Sequence, residues 1–575
     1  MILGFFGSAV CYCIMSLGLA WPLVARLSLN VEERIGASAA LSVLGIFLLG
    51  WAIYVAGLPT SSLWVLPILT AVGLIATWRS WTAIFRDARG RALLAAQAIV
   101  SGWSVGLLAL IVDYSGGKHV GDWFGHWQRA LLFLFRWPPT GLFNGFDPLP
   151  SRPPLANVVV GAFMRLTQVD FAHYQLASTL LSSLAFLPAA LLARRLVGSS
   201  SGNQLQKATP VISVLAVLFM VNPMFAQNAT YAWTKLPTAF FVLTAVYFFL
   251  RSRDANAPAC AAWLFGATLG AALITHYSAG PYAVILALTW VAAGPGGVPS
   301  STWVKATTTA AISGAVVLAI WFAWAIAVFG VHGTFLSNTS VTDQATSIGA
   351  QLVVIGLNLR DTLVPSFFRP SALARFSQSS PWGWWRDNFF LVYQNNLPFA
   401  FGSMGLAGIV AVLSRRFGAR SRLLWPWLVS LMLLIALAVG THGGREDSGL
   451  AHISLQPLVL MGLAFLSAQW HRLSPLWRRI LVAGSTVDVL LGIVLQFGTE
   501  NHAFDRWFAP SRPWTATLAS YSEFAQMNSQ VKGDAGWVFF GNSFVGSYGL
   551  VAALLVALLL LAVMRTHRAT PPQLA

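Results

Sequence analysis

The stretch Gly121-Asp122-Trp123-Phe124-Gly125-His126-Trp127-Gln128-Arg129, followed by Arg152-Pro153-Pro154-Leu155, is the first long polar interruption in an otherwise apolar chain. On a helical wheel of 100° per residue, His126 and Arg129 fall within about 40° of Asp122. Trp123, Trp127, Ala130, Leu131 and Leu134 fall on the other side. The pattern predicts an amphipathic helix over roughly 122–136 that lies on a membrane surface, its apolar side in lipid and its polar side presenting a carboxylate, an imidazole and a guanidinium. A second helix is expected over roughly 155–168. Between the two, Pro138-Pro139-Thr140-Gly141 and Pro148/Pro150 break the chain, and Arg152-Pro153-Pro154 stands where proline is tolerated, at a helix start.

Outside this stretch the chain is largely hydrocarbon. Of its 575 residues 57% are hydrophobic and 9% charged, and the mean hydropathy is +0.68, whereas soluble domains carry about a quarter charged residues. Roughly fifteen apolar segments reach membrane-crossing length between residues 2 and 564. The chain reads as an all-α polytopic membrane protein. Its formal charge of +17 would point to nucleic acid in a soluble protein, but position assigns it to topology. Arg79/Arg86/Arg89/Arg91, Arg194/Arg195, Arg251/Arg253, Arg415/Arg416 and Arg565/Arg568 fall in alternate loops, which makes those loops cytoplasmic. Asp113, Asp122, Asp147, Asp387, Glu446, Asp447 and Asp505 fall in the intervening, outward-facing loops. This phase starts the N-terminus outside and ends the C-terminus inside, and the first segment, which lacks a basic flank, is expected to be a retained helix.

The chain divides into N-terminal membrane helices (1–91), a membrane core (92–330), an outer loop or cap (331–396), further membrane helices (397–497), a small outer lobe (498–546) and a last helix with a cytoplasmic tail (547–575). Cys11, Cys13 and Cys260 lie in or beside apolar segments and form neither a disulfide framework nor a zinc site. No Asp-x-Asp, Walker A or Gly-x-Gly-x-x-Gly pattern is present. No metal ligand cluster is evident, although outer-face carboxylates leave a divalent cation open. Polar residues gather in the outer bends around Lys235, Thr275-His276-Tyr277-Ser278 and Thr441-His442-Gly443-Gly444-Arg445. Asp488 is the exception, lying inside an apolar segment where a charge is costly and a functional role is the default reading. His452 reads as satisfied structure, and Asp122 itself has a purely structural reading as a helix N-cap.

An acid at the start of the first long outer loop, Pro153-Pro154-Leu155 after it, and Ala193-Arg194-Arg195-Leu196 closing a helix at the cytoplasmic face together resemble the GT-C superfamily of polytopic glycosyltransferases. Protein O-mannosyltransferases and lipid A aminoarabinose transferases belong to it. The resemblance covers roughly 92–330 by pattern. It implies a GT-C-like helical bundle with interfacial helices in the first outer loop and a partly folded outer cap. It also implies an enzyme of the cytoplasmic (inner) membrane that moves a sugar from a polyprenyl-phosphate donor to a hydroxyl of a glycan, lipid or protein, on the outer side. In that chemistry Asp122 is the candidate general base. Arg152, Lys235, His276 and Arg445 are candidates for binding the departing phosphate, and His126 and Arg129 are supporting residues. Two departures stand out: Asp122 is followed by Trp123 rather than a second acid, and Lys235 stands near where several relatives place another acid. A transporter or flippase of a lipid-linked or anionic substrate is the alternative, and Asp488 is its main support.

Overall fold

A computed structural model describes residues 2–111, 114, 122–143, 147–197, 204–254, 256–294, 299–335, 347–365, 368, 392–394, 396–413, 455–495 and 539–543. The chain opens with α1 (Ile2–Gly18), the single turn α2 (Trp21–Val24), α3 (Val31–Val55), α4 (Val65–Ala76), α5 (Trp78–Arg86) and α6 (Ala88–Leu108). The first outer loop contributes α7 (Asp122–Phe135), a minimal antiparallel hairpin of β1 (Leu142–Phe143) and β2 (Asp147–Pro148), and α8 (Leu155–Leu166). Then come α9 (Phe171–Ser183), α10 (Phe186–Val197), α11 (Gln204–Val221), α12 (Pro223–Thr230), α13 (Lys235–Ser252), α14 (Cys260–Thr275), α15 (Gly280–Ala292) and α16 (Ser300–Phe335). The remaining described α-helices are α17 (Ile348–Leu363), α18 (Leu397–Leu413), α19 (Gln456–Gln469) and α20 (Pro475–Ile493), and a short turn follows at Phe540–Asn542.

Among the described residues, five helices are long and apolar enough to cross a membrane, and seven are if each sharply bent pair counts as one span. Several of the other expected segments are apolar helices of 10–17 residues, while 423–440 and 547–564 lie outside the described residues. The protein is an integral membrane protein. Its axis is the run Phe171–Val197, buried from Phe171 to Ala193 and in contact with α6, α11, α13 and α19. Where α14 meets α16 the backbones nearly touch: a Cβ on Gly270 would stand 2.9 Å from the Gly314 carbonyl, and one on Gly314 would stand 3.1 Å from that of Gly266. Small residues permit this approach, which supplies dispersion where lipid offers no hydrophobic drive.

α13 links the two ends of the bundle. At its last turn, Arg251 Nε donates to Glu33 Oε1 at 2.8 Å and Arg251 Nη1 to Asp254 at 3.1 Å, while Tyr247 Oη donates to the same Glu33 oxygen at 2.9 Å. Arg195 holds Asp254 through both terminal nitrogens, at 2.8 and 2.6 Å, and Arg194 pairs with Glu32. Glu33 also closes a capping box with Asn30 at the start of α3, satisfying helix donors that would otherwise be bare. The N-terminal helices are thereby tied to the ends of α10 and α13.

Asp488 has a structural partner. α18 is broken at Gly402 (φ 72, ψ 171), a backbone region open to glycine and costly for other residues. The break frees the next turn's amides, and Asp488 of α20 accepts from Ser403 N at 2.6 Å, from Met404 N at 2.8 Å and from the Ser403 hydroxyl. A Cβ on Gly402 would lie 3.0 Å from both carboxylate oxygens. The carboxylate thus caps a half-helix whose positive end favours it.

Candidate functional site

α7 forms over Asp122–Phe135, close to the expected limits, but its apolar side does not face lipid. Trp123, Trp127, Ala130 and Leu131 are buried, and so are His126 and Arg129 on the polar side. The covering is protein: α7 packs along α8, Trp127 meets Phe171 and Tyr174 of α9 edge-on, and Trp123 contacts Phe539 from the far end of the sequence. The segment 539–541 is seated there because Phe540 N donates to Gln175 Oε1 at 2.8 Å and Gly541 N to the Ile111 carbonyl at 3.2 Å.

Asp122 is the first residue of α7 and is partly exposed, so its carboxylate stands at the positive end of the helix dipole. His126 follows one turn later. Its Nδ1 lies 3.2 Å from Asn157 Oδ1 on α8, and since a carbonyl oxygen only accepts, the ring carries its proton on Nδ1. Arg129, one turn further, donates to the Gly125 carbonyl at 3.1 Å, the Ser151 hydroxyl at 3.1 Å and the Pro148 carbonyl at 3.4 Å, and lies over Phe143 with its guanidinium 4.3 Å from the ring centre. This supporting residue therefore grips the segment that ends in Arg152. Tyr277 Oη donates to the Pro150 carbonyl at 2.8 Å. Both contacts brace the residues just before Arg152.

His276 terminates α14 in an extended conformation, and its Nδ1 accepts from Ser278 N at 3.0 Å. This fixes the proton on Nε2, the opposite tautomer to His126. Lys235 opens α13 with its Nζ 4.7 Å from the centre of the Trp233 ring, a cation resting on an aromatic face. The turn that delivers it passes through Ala232 at φ 56, a left-handed conformation unfavourable for alanine.

The imidazoles report the local field. Burial, then Arg129 and Arg152, push His126 from its ordinary value down to about 3, against the opposing pull of Asp122 and the Asn157 hydrogen bond. Burial, then Arg152, Lys235 and His126, hold His276 well below the ordinary histidine range, again with Asp122 opposing. Asp122, His126, Arg152, Lys235 and His276 are thus gathered within electrostatic reach, with His126 buried and the other four partly exposed. The sequence expectation brought these five together with Arg129. Arg445 and His452 lie outside the described residues. Among the described residues no group of three His, Cys, Asp or Glu side chains could hold a metal ion.

Two neighbours of the site, Asn157 and Tyr277, escaped the reading of the sequence. Asn157 had a signal, an amide inside Leu155-Ala156-Asn157-Val158-Val159-Val160, where burial of a polar group demands a reason. Tyr277 had none beyond adjacency to His276.

No family model matches the sequence, and no curated protein matches it. Two solved structures are similar in layout. One is ArnT from Cupriavidus metallidurans bound to undecaprenyl phosphate, 14% identical over 82% of this chain and 77% of that one, with a TM-score of 0.45. The other is the same protein in the apo state, 14% identical over 79% of this chain and 74% of that one, with a TM-score of 0.44.

Proposed function

We propose that this protein is a membrane glycosyltransferase that moves a sugar from a polyprenyl-phosphate donor to a hydroxyl of a glycan, lipid or protein acceptor at the outer face of the cytoplasmic membrane. The observation that carries this reading is geometric: Arg129 and Tyr277 both hold the segment that ends in Arg152, Tyr277 adjoins His276, and the cavity wall that runs from Asn157, the partner of His126, leads through Trp233 to Lys235, so that these cations and Asp122 gather at one site. Cations gathered at one site favour an anionic group, and a site set in a membrane bundle favours one delivered on a lipid. Phosphate on an isoprenoid meets both conditions.

In this reading Arg152 and Lys235 bind the phosphate, and His276 offers it an Nε2–H from a neutral ring, adding a donor without adding charge. As the acceptor oxygen attacks the anomeric carbon, Asp122 takes its proton, the bond from that carbon to the phosphate oxygen breaks, and the cations hold the phosphate that leaves. Arg445 remains a proposed fourth ligand. His126 and Arg129 act through their neighbours, the first through Asn157 and the second by holding the Arg152 segment. The transport alternative drew on Asp488, and that carboxylate is engaged by the broken helix α18. Purified protein supplied with labelled polyprenyl-phosphate sugars and membrane acceptors tests the reading. A new glycosidic bond supports it, and movement of the lipid-linked sugar across vesicles with no such bond would sink it.

A further inference from the structure

Beside the charged groups lies a small cavity walled by Asn157, Tyr174, Ser178, Trp233, Thr234 and Pro237, with room for about one water-sized group. Its walls join the two halves of the site. Asn157 holds His126 through Oδ1, while Trp233 and Thr234 immediately precede Lys235, which rests on the Trp233 ring. Asn157 is 3% exposed, and its Nδ2 is buried with no hydrogen-bond partner among the described residues. A buried amide left unsatisfied is costly and persists where something else completes it. The missing partner must be an acceptor, because an amide nitrogen only donates. A neutral amide suits an uncharged oxygen, and the cations nearby already suit the phosphate.

Building on the glycosyltransferase reading, we infer that Asn157 reads the transferred sugar: its Nδ2 donates a hydrogen bond to one sugar hydroxyl seated in the cavity between α8 and the turn that precedes α13. The same side chain holds the His126 ring through Oδ1, so the amide that would meet the sugar is already fixed in orientation. A pocket that hydrogen-bonds a hydroxyl rejects the analogue lacking it, because its own donor is then left bare.

The test uses full-length protein in detergent and a panel of polyprenyl-phosphate hexoses and pentoses, each paired with its single-position deoxy analogues. Wild type should prefer one parent sugar over one deoxy analogue by about tenfold or more in kcat/KM, the value of one good hydrogen bond. Asn157→Ala, and Asn157→Asp, which keeps size and an oxygen toward His126, should shrink that preference to about twofold or less. Thermal stabilisation by polyprenyl phosphate without sugar should be unchanged in both variants and lost in Lys235→Gln. The inference is overturned if wild type shows no such preference, which would leave water as the occupant of the cavity, or if the variants keep the preference. It is equally overturned if they lose the phosphate response as Lys235→Gln does, or if neither variant folds. Absence of transfer from every donor by wild type counts instead against the proposed function.

Discussion

Lys235 and Arg251 stand at opposite ends of α13, about 24 Å apart along the helix, and each belongs to a group of charges. Around Arg251 the described charges match: Arg194 meets Glu32, Arg251 meets Glu33 and Asp254, and Arg195 meets Asp254. Around Lys235, burial first and then neighbouring cations hold His126 and His276 below the ordinary histidine range, with Asp122 opposing. The first group resembles a finished ion-pair network, whose favourable contacts are internal. In the proposed reading the second group meets an anion from outside. Charged residues at both ends of a membrane bundle therefore do different things, and their partners rather than their number tell them apart.

The comparison can be broken from the Lys235 end first. Asp122→Asn should lower kcat by about 10²- to 10⁴-fold, the usual value of a general base, with an unchanged melting curve; full transfer activity would remove Asp122 from the chemistry. Next, Lys235→Gln should raise the donor KM by roughly 10- to 100-fold, the loss of one charge-assisted hydrogen bond, in steady-state assays at fixed acceptor. At the other end, Glu33→Gln should leave kcat/KM per folded molecule alone and lower stability by about 2–3 kcal/mol. That is below the usual figure for a broken buried pair, because Arg251 keeps some water contact. A fall in kcat/KM for that variant would erase the distinction between the two groups.

The pH dependence sharpens it further. His126 and His276 resist protonation in the folded state, whereas in the unfolded chain they bind protons near the ordinary value of about 6.5. The unfolded state therefore takes up more protons as pH falls, and stability, complete above about 6.5, should decline below it by up to about 1.4 kcal/mol per pH unit for each ring. For His126 the decline continues toward its folded value of about 3. Melting curves of wild type and His126→Gln between these limits should diverge, the variant being flatter. The smallest effect belongs to the turn before Lys235. Ala232→Gly should relieve the left-handed conformation and raise stability by about 0.5 kcal/mol, part of the relief being offset by glycine's entropy.

Much of the site's location was legible in the sequence and little of its surroundings. The wheel put Asp122, His126 and Arg129 on one side of a helix that forms where expected, and Arg152-Pro153-Pro154 does stand before α8. Amphipathicity, however, says which side of a helix is apolar and not whether lipid or protein covers it, so the burial of Trp123 and Trp127 was out of reach. The contact of Phe540 with Gln175 joins residues 365 apart in sequence, and no local pattern encodes it. Asp488 announced itself by its cost, but its partner was hidden because the two amides it binds become available only where Gly402 turns the chain.

That capped break has a consequence for how the protein is made. A carboxylate in mid-helix costs about 2.5–3.5 kcal/mol when a segment enters lipid alone, and α20 emerges from the ribosome well after α18. Because α18 is made first, its bared amides at Ser403 and Met404 are in place to receive Asp488 as α20 arrives, and docking of the two helices offsets that cost.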